Sequence, residues 1–336
     1  MDFNAIPAKV DTIRFCVPMS RKTMQSSNLL PYDYWKFRGR ADGISAHYDS
    51  VSNRLSVRID SLPEFMFGYS QFEFDEESYP PIEVVRAIQD ALYDNFNINI
   101  SKSKLKRATV TELHINKDVF FEKKRNSERF LRFMKNFNRV VGKKAIKKDY
   151  KDEDNDYDLG SKYGNKSKNL TVYDKGAECE EHESDFLEIN NCPYCIRIEK
   201  QLRSSALKKL PKVLGEDKLK LGQILQKETL NAFWDYYVGQ KDLLLPNILS
   251  KAQLKKHILN SNYRSTENGR ESMWKTLQKA ESIGLAKAFE DFSQMPNYMK
   301  YLKENGVCPI FLGLQVIKDI ERNNLCEREI TNIINN

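Results

Sequence analysis

Two segments of the sequence carry metal-ligand side chains at alternate positions of a strand-like pattern. In residues 108–116 (ATVTELHIN), Glu112 and His114 alternate with the apolar Leu113 and Ile115. In residues 195–202 (CIRIEKQL), Glu199 shares a polar face with Arg197 and Gln201, whereas Ile196, Ile198 and Leu202 are apolar. Because side chains of a strand point alternately to opposite faces, Glu112 and His114 share a face and can reach one divalent cation. The alternative is that both carboxylates pair with Lys or Arg across a sheet.

A tyrosine on a third strand-like segment is a candidate nucleophile. In residues 170–175 (LTVYDK), Tyr173 and Lys175 fall on one face. A tyrosine hydroxyl near a metal-bound phosphate can attack phosphorus, and a neighbouring lysine lowers its pKa or neutralises the phosphate. The alternative is an ordinary packing role, since the chain has 16 tyrosines.

Cysteine and histidine cluster between these two segments. Cys179-Glu-Glu-His182 is followed, nine residues later, by Cys192-Pro-Tyr-Cys195. This spacing suits a tetrahedral structural zinc that would join the Tyr173 strand to the Glu199 strand. One alternative is a set of free thiols with Cys195 packed at the start of a strand. The other is a redox site, since CPYC resembles the glutaredoxin motif.

The elements that must position these side chains are predicted from hydrophobic periodicity. Alternation predicts strands at residues 11–18, 54–59, 108–116, 169–174 and 195–202. Three- and four-residue spacing predicts helices at residues 80–96 and after Ser127. From about residue 205 the pattern is mostly helical. We expect an α+β domain at 1–210, followed by a smaller, mainly helical domain at 211–336 that could bind DNA.

The charge of the chain is unevenly distributed. The 336 residues are 40% hydrophobic and 30% charged, with a formal net charge of +7, so the chain can build a core. Basic clusters occupy residues 102–107, 123–148 and 200–220. Such clusters attract nucleic acid, although any one of them could be a solvated helix face. The acidic stretch at 149–158 predicts a mobile loop.

Several functional classes are disfavoured by composition. No apolar run approaches the ~18 residues that cross a bilayer, and the N-terminus lacks the apolar segment of a secretory signal. Six cysteines are too few for a disulfide scaffold in a chain of this length. We therefore expect a cytoplasmic protein with no membrane partner. Without a G-x-x-x-x-G-K-[ST] motif, ATP hydrolysis is not expected.

The order of these motifs resembles one family of replication proteins. DTIRFCVP, VTELHINKDVF, LTVYDKGAE and CIRIEKQL, in this order, are similar to segments of the gene II family of filamentous-phage replication initiators. The pair YDKGxE and RIExxL is the most specific part, and the similarity covers roughly residues 10 to 285. The resemblance implies an HUH-endonuclease-like α+β fold with a central, largely antiparallel sheet.

The resemblance also implies a metal-dependent nickase for rolling-circle DNA replication. Tyr173 would attack a phosphodiester at the origin and remain on the 5′ phosphate, with Lys175 beside it and Tyr163 as the second candidate. Glu112, His114 and Glu199 would bind Mg²⁺ or Mn²⁺, which suit one imidazole and two carboxylates. The sequence departs from the family in having one histidine instead of a pair, and Glu112-Leu113-His114 where Arg-x-Asp is common.

The implied partners are origin DNA and the host replication helicase and polymerase, in the cytoplasm of a bacterial cell. A competing hypothesis is a non-catalytic DNA-binding regulator built on the same fold. Both predict salt-sensitive DNA binding, and they differ in metal dependence and in the covalent intermediate.

Overall fold

The computed structural model describes most of the chain around one large sheet. The described residues are 6, 8–33, 35–68, 80–137, 146–151, 158–165, 168–181, 186–189, 191–208, 217–234, 236, 247–261, 266–288 and 295–324. Ten strands form an antiparallel sheet in the order β2-β3-β4-β5-β1-β6-β10-β9-β8-β7. Their bounds are β1 Lys9–Pro18, β2 Leu30–Asp33, β3 Lys36–Ala41, β4 Ile44–Asp49, β5 Arg54–Ile59, β6 Thr109–Phe121, β7 Ile146–Lys151, β8 Asp158–Asn165, β9 Lys168–Asp174 and β10 Tyr194–Arg203.

Helices lie between the strands and follow the last one. Their bounds are α1 Arg21–Met24, α2 Leu62–Phe67, α3 Pro81–Phe96, α4 Lys102–Lys106, α5 Lys124–Phe137, α6 Lys175–Glu181, α7 Phe186–Ile189, α8 Ser204–Leu207, α9 Leu221–Ile224, α10 Lys227–Trp234, α11 Lys251–Leu259, α12 Glu267–Ile283, α13 Leu285–Ala288, α14 Met295–Glu304 and α15 Leu314–Asn324. No helix in the described ranges combines the length and apolar character that a bilayer crossing requires.

The predicted α+β class with a largely antiparallel sheet is confirmed. All five predicted strands form, and β6 runs five residues beyond its predicted end to Phe121. The sequence missed β2, β3, β4, β7 and β8. Residues 149–151 and 158 of the predicted acidic loop belong to β7 and β8, and the rest of that loop lies outside the described residues. Helices follow β10, and the domain boundary at residue 210 stays a prediction.

The two faces of the sheet differ in chemistry. Leu113 and Ile115 are buried on one face, where α5 packs with the Phe130 ring 5.5 Å from that of Phe121. On the same face α3 approaches β3 closely, since a Cβ added at Gly39 would lie 2.7 Å from the Phe96 ring. The opposite face, called the polar face here, carries Arg14, Glu112, His114, Tyr173, Arg197 and Glu199, as the strand register shows.

Helix α15 is hydrogen-bonded to the end of β6, although it follows that strand by about 200 residues in the chain. Asn324 accepts a hydrogen bond from the Phe120 backbone N–H at 2.9 Å and donates to its carbonyl at 3.1 Å. Asp319 accepts from the Glu122 backbone N–H at 3.1 Å and from the Asn126 amide at 2.6 Å. Helix α15 therefore completes the backbone hydrogen bonding where β6 ends and α5 begins.

We expect Asp319→Ala to lower the free energy of unfolding by about 2–3 kcal/mol, because it leaves buried N–H donors without their charged acceptor. Urea unfolding followed by circular dichroism measures the loss. Lys318→Ala, at an exposed position of the same helix, is the matched control and should change stability by less than about 0.5 kcal/mol. Equal stability of the two variants would contradict a fastening role for Asp319.

Candidate metal centre

Three potential cation ligands meet on the polar face. Asp11 of β1, His114 of β6 and Glu199 of β10 each offer one ligand atom, and these atoms all lie within 4.8 Å of one another. In the described ranges no other three His, Cys, Asp or Glu side chains come together this closely. His114 is buried, whereas Asp11 is partly exposed, so a cation could be reached from solvent at Asp11.

A β-bulge brings Asp11 to this group. The register of β1 against β6 shifts between Val10, which pairs with Ile115, and Ile13, which pairs with Leu113. Val10 and Ile13 are both buried, so the extra residue between them places Asp11 on the polar face. Bulges commonly redirect a side chain in this way beside functional sites. Asp11 was not among the ligands predicted from the sequence.

His114 uses both ring nitrogens. Its Nδ1 lies 3.1 Å from Glu199 Oε1, and its Nε2 lies 3.2 Å from Glu112 Oε1. Burial opposes a charge on the ring, but the hydrogen bonds to Glu112 and Glu199 outweigh burial and raise the pKa of His114. A cation held by Nδ1, Asp11 and Glu199 would leave the Nε2 bond to Glu112 intact. This is the carboxylate–histidine arrangement typical of protein metal sites.

Glu112, predicted from the sequence to be a ligand, contacts two arginines as well as His114, and its role as a ligand stays a prediction. Its Oε1 lies 2.9 Å from Arg203 Nε as well as close to His114, and its Oε2 lies 3.6 Å from Arg14 Nε. The His114 hydrogen bond and the arginine charges lower the pKa of Glu112 to about 2. Both carboxylate oxygens of Glu112 are therefore engaged by neighbouring side chains, and Asp11 lies with His114 and Glu199 in the cluster.

The donor set fits a hard divalent cation. Two carboxylates and one imidazole suit Mg²⁺ or Mn²⁺, and the absence of a thiol from the triad disfavours a thiophilic ion. Three protein ligands also leave coordination positions open for water and a phosphate oxygen. Asp11, His114 and Glu199 are therefore the residues that would hold the ion.

Metal affinity should rise with pH between pH 5 and pH 7. Burial raises the pKa of Asp11 to about 6, and a ligand carboxyl must lose its proton to bind a cation. His114, whose pKa is also raised, must give up a second proton. Calorimetric titration with Mn²⁺ should show affinity falling as pH drops below 6, up to about tenfold per pH unit for each proton displaced. An affinity independent of pH would contradict this ligand set.

Tyr173 shares the polar face with the triad. It lies in β9 directly opposite Arg197 of β10 and is partly exposed. Burial raises the pKa of Tyr173 well above its usual value, with Arg197 opposing the shift and Glu199 and Asp11 adding to it. The tyrosine is therefore protonated at rest, and it lies within the electrostatic reach of two members of the triad.

Arg197 is fixed by a buried ion-pair network. Its Nε and Nη2 donate to the two oxygens of Asp118 at 2.6 and 2.9 Å, and Lys9 Nζ lies 3.2 Å from Asp118 Oδ2. The Asp118 side chain is 0% exposed, and Arg197 and Lys9 lower its pKa. Asp118 thus holds both Arg197 and Lys9, which fixes Arg197 at the position that pairs with Tyr173. The sequence did not single out Arg197, Asp118 or Lys9.

The YDKG motif ends β9 and starts α6. The Asp174 carboxylate accepts hydrogen bonds from the backbone N–H groups of Gly176 at 2.9 Å and Ala177 at 3.2 Å. This cap fixes the chain direction immediately after Tyr173. Lys175, predicted beside the phosphate, is buried and its Nζ lies 2.6 Å from Glu178 Oε2. Its charge also acts on Asp11, which places it near the triad.

The strand beside Tyr173 contains the second candidate nucleophile. Tyr163 of β8 pairs with Leu170, three positions away from the Gly160–Tyr173 pair, and its side chain lies outside the described residues. Gly160 has a φ of +150°, and a Cβ there would lie 2.4 Å from the Val172 carbonyl oxygen. Only glycine allows β8 to approach the Tyr173 backbone this closely.

The three cysteines predicted to bind zinc are close together. Cys179, Cys192 and Cys195 are buried in one cluster with Phe120, and Cys192 Sγ lies 3.6 Å from the Phe121 carbonyl oxygen. Burial raises the pKa of Cys195 well above its usual value, which makes this thiol a poor redox nucleophile. His182, the fourth predicted ligand, lies outside the described residues. The zinc site stays a prediction.

Comparisons with known proteins add little to this picture. No protein-family model matches the chain. No curated protein matches it. The chain is similar to a solved structure described as the rolling circle replication initiator protein from Geobacillus stearothermophilus. The TM-score is 0.36 and the identity 14%, over 65% of this chain and 82% of that one. At this level the likeness says nothing about the function of this chain.

Proposed function

We propose that this protein is a rolling-circle replication initiator that nicks one strand of origin DNA through Tyr173. The observation that carries the proposal is the convergence on one sheet face of three hard-cation ligands, a tyrosine and a buried arginine. Asp11, His114 and Glu199 are the proposed ligands. Tyr173 of β9 pairs with Arg197 of β10, and Arg197 is two residues before Glu199 in that strand. The sequence resemblance to filamentous-phage initiators supports the same chemistry.

The proposed reaction exchanges one phosphoester for another. The Tyr173 hydroxyl loses its proton and attacks phosphorus, the bond from phosphorus to the 3′ oxygen breaks, and that oxygen leaves as a 3′ hydroxyl. Tyr173 then holds the 5′ phosphate, and the reverse reaction joins strands without a nucleotide cofactor. When bound, Mg²⁺ or Mn²⁺ would neutralise phosphate charge and offset the carboxylates that disfavour the phenolate.

The protein's own cations have positioning roles in this proposal. Arg197 lies beside Tyr173 and favours the phenolate form, and Asp118 and Lys9 hold it in place. Lys175, two residues from Tyr173 on the same strand end, adds positive charge near the phosphate. Phosphoryl transfer depends mainly on such positioning and charge stabilisation.

The same proposal includes the DNA substrate, the cell compartment and the protein partners. The substrate would be the origin of a phage, prophage or plasmid replicon in a bacterial cytoplasm, and the partners would be the host helicase and polymerase. A non-catalytic DNA-binding regulator is the second candidate, and the basic clusters of the sequence suit it equally well. A regulator has no use for a hard-cation triad beside a tyrosine.

The deciding experiment is an adduct assay on supercoiled DNA that carries the origin of the source replicon. The purified chain is incubated with this DNA in Mn²⁺, Mg²⁺ or EDTA, and SDS-resistant protein–DNA species are resolved by electrophoresis. A metal-dependent adduct together with nicked circles is the expected result. Binding without nicking in either metal would favour the regulator.

A further inference from the structure

A row of arginines crosses the polar face toward the metal centre. Following the register from strand to strand, Arg40 of β3 aligns with Ser45 of β4, then with Arg58 of β5 and Arg14 of β1. Arg14 in turn aligns with Glu112 of β6, and Glu112 with Arg203 of β10. Four arginines thus occupy a single line across six neighbouring strands. In β6 the line crosses Glu112, which is two residues before His114.

The arginines of this row are accessible and outnumber their acidic partners. Their side chains are exposed by 79% at Arg40, 30% at Arg58, 41% at Arg14 and 49% at Arg203. Asp60 lies within ion-pair distance of Arg40 and Arg58, and Glu112 within that of Arg14 and Arg203. Within the described part of the chain, two carboxylates pair with these four guanidinium groups, which leaves a net positive strip that favours a polyanion.

An aromatic cluster lies at the outer end of the same face. The Arg38 guanidinium lies 5.3 Å from the centre of the Tyr32 ring, and the rings of Tyr32 and His47 are 5.2 Å apart, with the Tyr32 hydroxyl bonded to His47 Nε2. Tyr32 is 43% exposed, and Leu30 beside it on β2 is 71% exposed. Exposed aromatic rings with adjacent arginines are typical platforms for stacking unpaired bases.

We propose that this strip, from Tyr32 and Arg38 through Arg40, Arg58 and Arg14, binds single-stranded DNA next to the cleaved phosphate. Five strand spacings of ~4.8 Å separate β2, which carries Tyr32, from β6, so the strip reaches roughly 24 Å from the metal centre. That distance accommodates a few nucleotides of extended chain, whose phosphates meet the arginines while a base stacks on Tyr32. The proposal rests on the proposed nicking function, which supplies a single strand at this site.

The unpaired strand is favoured over a duplex or an acidic protein by the combination of features. Duplex DNA buries its base faces and offers nothing to the Tyr32 ring, whereas every unpaired base presents a stacking surface. An acidic peptide would meet the arginines and gain nothing specific from the ring. The combination of phosphate contacts and base stacking therefore favours single-stranded DNA as the ligand of this strip.

The test measures binding separately from cleavage. Fluorescence anisotropy with a labelled oligothymidylate in EDTA, across a salt series, compares the wild type with R38Q/R40Q and with Tyr32→Ala. We expect the double variant to reduce the slope of log affinity against log salt by about 1.4, or about 0.7 for each lost phosphate contact. We expect Tyr32→Ala to weaken binding about tenfold with the slope unchanged. Arg86→Gln, whose arginine pairs with Glu83 on α3, is the control and should match the wild type.

The remaining outcomes separate this inference from the proposed function. Unchanged slopes and affinities in the folded variants would overturn the strip as a DNA site, even if the wild type nicks its origin. Equal losses for oligothymidylate and polyglutamate would assign the strip to an acidic protein, and tighter binding of duplex would assign it to duplex. If the variants lose oligothymidylate binding as expected and the wild type forms no adduct, the strip is a single-stranded DNA site and the proposed nicking function is wrong. Thermal melting of each variant verifies that it is folded.

Discussion

Replacing Tyr173 with phenylalanine should abolish the covalent protein–DNA adduct and reduce nicking by on the order of 10⁴-fold or more. The phenylalanine ring fills the same space between β8 and β10 but has no oxygen to attack phosphorus. Binding of single-stranded DNA should remain within about threefold of the wild type, because the strand contacts lie elsewhere on the polar face. Electrophoresis of the SDS-treated reaction reads out the adduct, and anisotropy reads out binding.

Two other tyrosines serve as controls for this result. Tyr163→Phe tests the second candidate on β8, and Tyr93→Phe alters an exposed tyrosine of α3 that is 56% accessible. Both variants should form the adduct at the wild-type level. An adduct that persists in Tyr173→Phe and disappears in Tyr163→Phe would keep the enzyme class and move the nucleophile to β8.

Two substitutions at the metal centre should have effects of clearly different size. Asp11→Asn removes a carboxylate of the triad, so we expect Mn²⁺ binding to fall below detection in calorimetry and nicking to be lost. Glu112→Gln keeps the triad and disturbs only the orientation of His114. Loss of an outer partner of this kind weakens metal binding by about 10–100-fold, and high Mn²⁺ should restore its nicking.

If Glu112→Gln had the larger effect, the ligands would be Glu112, His114 and Glu199, as predicted from the sequence alone. In that case Glu112→Gln would eliminate Mn²⁺ binding, and Asp11→Asn would be rescued by excess metal. Glu83→Gln changes an exposed carboxylate on α3 that is paired with Arg86, so it controls for the loss of one negative charge. Its Mn²⁺ affinity should equal that of the wild type.

The sequence was sufficient to find the strands that carry His114, Tyr173 and Glu199. Along these strands apolar residues recur at alternate positions, with Lys117 and Lys200 as exceptions, because one face of the sheet is buried and the other is polar. The same alternation placed Glu112 and His114 on one face of β6 and Glu199 on the polar face of β10, and the strand register shows that these are the same face of the sheet. The short strand β2 escaped detection because Pro31 interrupts it, and β3 because Gly39 and charged residues interrupt its apolar pattern. The strand β4 does alternate, with Ile44, Ala46 and Tyr48 buried, and was overlooked.

Asp11 could not be found by the same reasoning. In DTIRFCVP the residue has the same parity as Ile13 and Phe15, so a regular strand would point it into the core. The bulge between Val10 and Ile13 reverses that assignment, and nothing in the local sequence signals a bulge. The role of Glu112 was hidden for another reason. Its arginine partners lie about 98 and 91 residues away in the chain, and only the strand register brings them together.

The attachment of α15 to the end of β6 also constrains the order in which the protein can mature during synthesis. The strand that presents His114 is made early, yet the hydrogen bonds at Phe120 and Glu122 wait for Asn324 and Asp319, which follow about 200 residues later. At 5–20 residues per second, a ribosome needs roughly 10 to 40 seconds to cover that interval. The nascent chain therefore carries its ligand strand without these hydrogen bonds until residues 319–324 have been made.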